Sequence, residues 1–323
     1  MKIRSAVLLA LSMGLSLLAV FASAQEAFPS KRITFIVPFP AGSATDNTAR
    51  RVGQELAKAT NQTVIVDNKP GADGNIAAMQ AVRSDPDGHT IFITTNSTQA
   101  ANINLFKSMP FDPYKDFAPV TGLVTIPIVL VVRADHPAKT LAEYIALAKK
   151  GPNPLTFGTS SQTGRGAGEL FKERAKLNLL NVPYKGSPQA LTDLLGGHVD
   201  SLFIDPVAAH GLLQQGEVRA LVATSAKRAA TLPNVPTLAE SGFPGFELTA
   251  WVAAYVPAKT PPAAIAKLNQ LLTTILKDPA TAEYLSGNGA TPFPTTPEQL
   301  AAHSETDTKR WAQVVQAAKM EKQ

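Results

Sequence analysis

Short apolar runs alternate with helix-patterned stretches along most of this chain, and that rhythm constrains its fold more than any other feature. ITFIV (33–37), TVIVD (63–67) and TIFITT (90–95) read as strands, with helices predicted near 46–59 and 75–84 between them. In the first helix Arg50, Arg51, Gln54 and Lys58 point outward while Val52, Leu56 and Ala59 point inward. Strand–helix–strand–helix–strand order implies an α/β fold with a parallel, doubly wound sheet. Such sheets place ligands at the carboxyl ends of their strands. Those ends are the loops that begin at Pro38, Asn68 and Asn96.

A second α/β unit starts after PVTGLVTIPIVLVVR (119–133). A helix at 140–150 leads to a strand at 155–161, a helix at 165–177 and a strand at 179–184. Ser187 and Pro188 open the next helix, with Ser187 as its cap, and Gly196-Gly197 closes it. A strand at 199–205, a helix from Pro206 to Gly216 and a strand at 218–225 complete the unit. Residues 226–246, rich in Pro and Gly, read as a connection. The tail carries a strand near 247–256 and helices near 261–277 and 297–318, with too few strands for a third domain. It is expected to pack back on the first unit. The domains are therefore 25–124 plus 250–323, discontinuous, and 125–249, with crossovers near 122–126 and 247–252. A length of 323 residues suits two domains, because single cores rarely grow past roughly 250–300 residues.

The first 24 residues have the form of an export signal. Lys2 and Arg4 supply a basic start, Ala6 to Phe21 is almost wholly apolar, and Ala22-Ser23-Ala24 is a small-x-small cleavage site. The apolar run, about 16 residues, falls short of the roughly 20 needed to span a bilayer. Cleavage after Ala24 removes two basic residues and takes the formal net charge from +5 to +3. With no cysteine the chain forms no disulfides and cannot be a lipoprotein, so a soluble periplasmic monomer is expected.

Most catalytic and cofactor readings fail on spacing. The basic residues are scattered, without aromatic interleaving, which argues against nucleic acid. His89, His136, His198, His210 and His303 form no metal-ligand pair and read as surface or helix-end residues; no metal or cofactor is expected. PFPAGSATD has no Gly-Lys-Ser/Thr after it, GRGAG (164–168) lacks dinucleotide spacing, and no GxSxG elbow surrounds Ser160. No base is nominated for a nucleophile, so an enzyme is not expected.

What remains is a set of donor-rich strand-to-helix loops. In PFPAGSATDNTAR (38–50), Gly42 allows close approach to the main chain, and Ser43 and Thr45 either cap the helix or donate hydroxyls. Phe39 adds an apolar wall. A helix N-terminus carries about half a positive charge and unpartnered N–H groups, so it binds an anion without Lys or Arg. Asp46 reads as a dipole or capping residue. NKPGADGN (68–75), TTNST (94–98) and GTSSQTGRG (158–166) repeat the pattern, and loops from both domains could close on one ligand. Arg165 is the one loop cation; it either pairs with the ligand or faces outward. Tyr184 offers a hydroxyl or is a core ring with a solvated tip. Asp205 caps the helix after Pro206 or accepts from a ligand amine or hydroxyl. Trp251 is core or lines the cleft.

VPFPAGSATDNTARRVGQEL resembles the first signature of the tripartite tricarboxylate transporter substrate-binding proteins, the Bug-type receptors. NKPGADGN, VPYKGSPQALTDLLGGHVDSLF, ALVATSAKRAATLPNVPTLAESGFPGFE and KRWAQVV resemble later segments of that family, in order. The resemblance implies a periplasmic-binding-protein clamshell of type II: two mixed, doubly wound sheets joined by two crossover strands. It also implies a small carboxylate ligand, whether a di- or tricarboxylic, amino or aromatic acid. The ligand's carboxylate is held by Phe39, Ala41, Gly42, Ser43, Ala44 and Thr45 and by Ser160, Ser161, Gln162, Thr163 and Gly164. Ala72, Asp73, Asn96 and Ser97 match other lining positions, and Tyr184 and Asp205 the far side. The implied partners are the membrane subunits of a tripartite transporter. A second reading makes the ligand-loaded clamshell a partner of a periplasmic sensor kinase, and a third a periplasmic hydrolase using Ser160 or Ser161. Two departures stand out: Gly42-Ser43 where the family has Gly-Gly, and Asp73 where small residues are usual. Asp73 either points away or favours a ligand that carries a donor such as an amine or hydroxyl.

Overall fold

The computed structural model describes residues 28–322. The expected export signal and its cleavage site lie outside the described residues. Strand β1 (Ile33–Val37) leads to α1 (Ala44–Thr60), β2 (Val64–Asn68), α2 (Asn75–Val82) and β3 (Thr90–Thr95). A π-helical turn (Ser97–Ala101) then runs into α3 (Asn102–Leu105) and the long β4 (Phe117–Pro127). Next come β5 (Val129–Arg133), α4 (Leu141–Lys150), β6 (Leu155–Thr159), α5 (Gln162–Ala175) and β7 (Leu179–Pro183). They are followed by α6 (Ser187–Leu195), β8 (Ser201–Ile204), α7 (Pro206–Gln215) and β9 (Val218–Ala223). The tail adds β10 (Thr249–Pro257), α8 (Pro262–Lys277), α9 (Pro279–Gly287), β11 (Thr291–Pro292) and α10 (Pro297–Ala317).

The strands form two mixed sheets, ordered β11-β4-β10-β3-β1-β2 and β7-β6-β8-β5-β9. Parallel pairing holds for β1 with β2 and β3, as the alternation implies. The first sheet is not parallel throughout, because the tail strand β10 inserts antiparallel between β3 and β4. In the second sheet β5 runs antiparallel to both β8 and β9. The tail thus returns to the first sheet.

A crossover is expected within the apolar run 119–133, near 122–126, and the structure makes it slightly later. β4 ends at Pro127, which has no N–H to continue a ladder, and β5 starts at Val129 in the other sheet. Thr224 stitches this passage to the returning one: its N–H donates to Ile128 O at 2.9 Å, and its carbonyl accepts from Leu248 N at 2.9 Å. Residues 226–246 contain neither helix nor strand, as their Pro and Gly content implies.

Helix α1 buries Val52 and Leu56 as its periodicity requires, but Ala59 is exposed in the last turn. Arg51 is half-buried rather than outward, its guanidinium 4.9 Å from the Tyr284 ring centre. One apolar cluster runs through both sheets, from Phe92 and Phe117 to Phe157, Phe171 and Phe203, with Trp311 of α10 between them. Gly166 of α5 makes room for Trp311, whose ring lies 2.7 Å from where a Cβ would sit. A core shared in this way carries the stability that disulfides would otherwise supply.

Candidate functional site

The loop after β1 is organised by one carboxylate. Gly42 takes φ +82°, a left-handed conformation open to glycine. Ser43 caps α1, its Oγ accepting from Asp46 N at 3.2 Å. Asp46 reaches back: Oδ2 accepts from Gly42 N and from Arg50 Nε, each at 2.9 Å. Its Oδ1 accepts from Asn68 Nδ2 at 2.9 Å, and the same amide donates to Phe39 O at 2.9 Å. Burial by itself raises this acid, but Arg50, the Gly42 N–H and Asn68 together hold its carboxyl below the ordinary 3.8. Gly42's amide is therefore used within the loop. The N–H groups of Ala44 and Thr45, first in the helix, have no intrahelical acceptor.

The facing loop comes from the second sheet. Ser161 caps α5, its Oγ accepting from Gly164 N at 3.1 Å. Ser160 Oγ lies 3.0 Å from Ser187 Oγ, which donates to Asp205 Oδ2 at 3.4 Å. Asp205 is the N-cap of α7, Oδ1 accepting from Ala208 N at 2.7 Å, and burial raises its carboxyl above the ordinary range. Ser187 does not cap α6; Gly186 does, leaving Ser187 at the first helical position with its hydroxyl free for Ser160.

These loops meet around a small cavity between the sheets. Phe39, Ser43, Ala44 and Thr45 line one side, with Asn96 and Ser97 of the π-helical turn. Ser160, Ser161 and Thr163 line the other, with Ser187 and Asp205 behind them, and Ile126, Ile128, Ala250 and Val252 close the floor. Thr163 Oγ1 donates to Asn96 Oδ1 at 3.0 Å, so the two sides touch. The free volume is about 40 Å³, against roughly 10–15 Å³ for one water on the same kind of measure. No Lys or Arg is among the lining residues; the starts of α1, α5 and α6 and the serine and threonine hydroxyls supply the donors. Ser97 is 1 % exposed, and its Oγ has no hydrogen-bond partner.

Two outer chambers adjoin this cavity. One, of about 210 Å³, lies among Phe39, Gly71 to Gly74, Ser160 and Tyr184. The other, of about 350 Å³, is bordered by Asp73, Ser161, Gln162, Arg165 and Tyr184. Ala72, Asp73, Gln162 and Tyr184 are thus at the mouth rather than inside. Tyr184 contributes its ring; the hydroxyl faces Asp193, and burial with that carboxylate pushes it up to about 12.

Other expected residues are not among those lining the inner cavity. Ala41 and Gly42 are exposed, and a Cβ on Gly42 would stand 3.5 Å from Pro188 Cγ of α6. Gly164 is a packing residue, since a Cβ there would stand 2.5 Å from Phe203 O. Trp251 is buried away from the cleft, donating from Nε1 to Asp307 Oδ2 at 2.9 Å. His89 and His136 are buried rather than on the surface; each accepts a backbone N–H, from Ser30 and Ala138. The sequence reading missed Thr95, the floor residues and the part played by Ser187. Its position, another strand-to-helix handover, was the available signal.

A family model described as the tripartite tricarboxylate transporter family receptor matches residues 48–320. The chain belongs to this family. Among relatives, the receptor is 34 % identical over 319 residues to the UPF0065 protein of the tcbD-tcbE intergenic region of Pseudomonas sp. (strain P51), covering 97 % of this chain and 94 % of that one. It is 33 % identical to Protein BugT of Bordetella pertussis, covering 90 % of each. Among solved structures, an R. palustris protein with adipate superposes with a TM-score of 0.89 at 34 % identity, covering 92 % of the receptor and all of that chain. MatC from Rhodopseudomonas palustris with bound malate gives 0.83 at 32 % identity, covering 89 % of the receptor and all of that chain. The receptor is a Bug-type solute-binding clamshell, and its cavity lies where its two mixed sheets face each other.

Proposed function

We propose that the receptor captures a small carboxylate in the cleft between its sheets and delivers it to the membrane subunits of a tripartite transporter. The observation that carries this reading is the inner cavity: helix starts and hydroxyls converge there, no cation lines it, and Ser97 Oγ is left without a partner. The lobes that close on the ligand are built on the two sheets, with one passage between them at Ile128 and the other between β9 and β10. The Ala44 and Thr45 amides and the Ser97 hydroxyl hold its carboxylate, and the Ser160 and Thr163 hydroxyls turn to it from Ser187 and Asn96 when it binds. Relatives solved with adipate and malate support this class of ligand. The site of action is the periplasm, reached through the signal in residues 1–24. Ser160 and Ser187 end on a capping carboxylate, and no His, Lys or Arg lines the inner cavity with them, an arrangement suited to binding rather than to activating a nucleophile.

Hydrogen bonds to a charged group contribute roughly 1.5–3 kcal/mol each. Five or six of them, less association costs, reach about −8 kcal/mol, the micromolar range suited to a carrier that must release. Thermal-shift screening of the purified protein against carboxylic acids, neutral sugars and metal salts tests the reading. At least one carboxylate is expected to raise the melting temperature, and Ser97→Ala to weaken that acid's binding about tenfold, the loss of one such bond. Stabilisation by a sugar or metal with no response to any acid would overturn it.

A further inference from the structure

Asp73 is the acid that the first loop's logic does not explain. The turn that carries it is held in an uncommon shape: Gly71, Ala72, Asp73 and Gly74 take φ values of +133°, +46°, +50° and +92°. Asn102 pins this turn by its main chain, Nδ2 donating to Asp73 O at 3.0 Å and to Asn75 Oδ1 at 2.9 Å. The Asp73 side chain is left over the cleft mouth, where it borders both outer chambers. Across the mouth it is faced by Gln162 and Arg165 of α5. Gln162 is 2 % exposed, yet its Oε1 has no partner, and neither does the buried Nη1 of Arg165. Glu169 and Lys172, in the same chamber, are paired with each other at 3.2 Å. The mouth therefore offers two acceptors, Asp73 and Gln162 Oε1, beside the Arg165 guanidinium, with the exposed Lys185 at the rim of the chamber that Asp73 shares with Phe39. Asp73, Gln162 and Arg165 lie in chambers that meet the inner cavity at Phe39, Ser160 and Ser161.

We propose that the cleft mouth is a subsite for the head group of an aminodicarboxylate, with Asp73 and Gln162 Oε1 accepting from its ammonium and Arg165 Nη1 pairing with the adjacent carboxylate. The ligand's other carboxylate enters the inner cavity, so the inference rests on the reading above. A plain dicarboxylate meets a mismatch here, because a second carboxylate beside Asp73 is a like charge in a desolvated place. An ammonium supplies the counter-charge that a buried carboxylate requires.

Isothermal titration calorimetry with ligand pairs that differ only by the amine tests this: succinate with aspartate, glutarate with glutamate, adipate with 2-aminoadipate. The aminated member of at least one pair is expected to bind tenfold or more tightly. Asp73→Asn is expected to cut that preference below threefold without weakening the plain acid. Asn, like Asp, accepts a left-handed backbone, so the variant removes charge and keeps shape, which an unchanged melting temperature checks. Independently, Arg165→Gln is expected to narrow the advantage of glutamate over 4-aminobutyrate, which lacks the second carboxylate. Plain acids binding as well as their aminated partners in every pair overturns the subsite while leaving the inner site intact, as does a preference that survives Asp73→Asn. If no acid of either series binds, the carboxylate reading falls and takes the subsite with it.

Discussion

Asp46 and Asp73 occupy matching places in the first sheet: each follows a parallel strand, β1 or β2, close to where the next helix begins. Their surroundings are opposite. Asp46 is folded into its own loop, accepting from Gly42, Arg50 and Asn68, and its carboxyl lies below the ordinary value. Asp73 has its main chain pinned by Asn102 and its side chain left toward the cleft, where burial outweighs Gln162 and Arg165 and raises it. Each loop uses one asparagine as its clamp. Asn68 takes both a loop carbonyl and the acid, whereas Asn102 takes a loop carbonyl and Asn75. One acid closes its own loop; the other borders the chambers at the cleft mouth.

The comparison breaks if the two acids contribute alike to stability. Asp46→Ala leaves the Gly42 N–H and the Asn68 amide without their acceptor. It is expected to cost about 2 kcal/mol in chemical denaturation, in the range for leaving a buried donor without its acceptor, and to abolish ligand response with it. Asp73→Asn should change stability by under about 0.5 kcal/mol at neutral pH, as a substitution outside such a network does.

The acid limb of the stability curve sharpens the contrast. The folded value of Asp46 lies below 3.8, so its contribution is present above that pH and is lost as pH falls through the folded value. That of Asp73 lies above 3.8, so its cost is absent below that pH and grows as pH rises through the folded value. Denaturation series from pH 3 to 7 are expected to flatten below about pH 4 in Asp46→Asn. In Asp73→Asn the gain over the parent protein is expected to increase with pH. Slopes of the same sign in both variants would show that the two acids are not opposed.

The smallest effects concern the backbone. Gly42→Ala places a side chain at φ +82° and is expected to lower stability by about 1 kcal/mol. Ala72→Gly removes the same kind of strain at φ +46° and is expected to raise it by about 0.5 kcal/mol, the strain relieved less the added freedom of the unfolded chain. Calorimetric melting of both variants checks the signs, and a loss in both would remove the strained turn from the comparison.

Much of this architecture was legible in the chain. Period-two and period-3.6 apolar patterns located β1 to β3, the helices between them and the return of the tail, because burial of one face leaves a periodic trace. Short elements left no such trace: α3, α9 and β11 lie outside the expected list. The split within 119–133 was expected near 122–126 rather than at Ile128, because both halves are equally apolar and leave its position unmarked. At the site, Ser43 and Asp205 are recognisable as caps because residue type and position coincide, whereas Ser187 has the right type but lies one residue inside its helix and Ser161 caps a helix expected to start later. For Gly42 and Gly164 the chain does not tell the roles apart, since a glycine is chosen for a ligand's approach and for a neighbour's packing by the same absence of a Cβ.

Local chemistry alone therefore settled which residues turn, cap and alternate, and a family signature written in those residues was readable before any coordinates. Which partner the hydroxyls of Ser160 and Ser187 meet, and whether an acid closes a loop or borders a cleft, depended on segments far apart in sequence. Asn68 reaches Asp46, Asn102 reaches Asp73, and Thr163 reaches Asn96 only after two sheets have been built and brought face to face. Hydrogen bonds and charges act over a few ångströms of space, and the order of residues along the chain does not specify that distance.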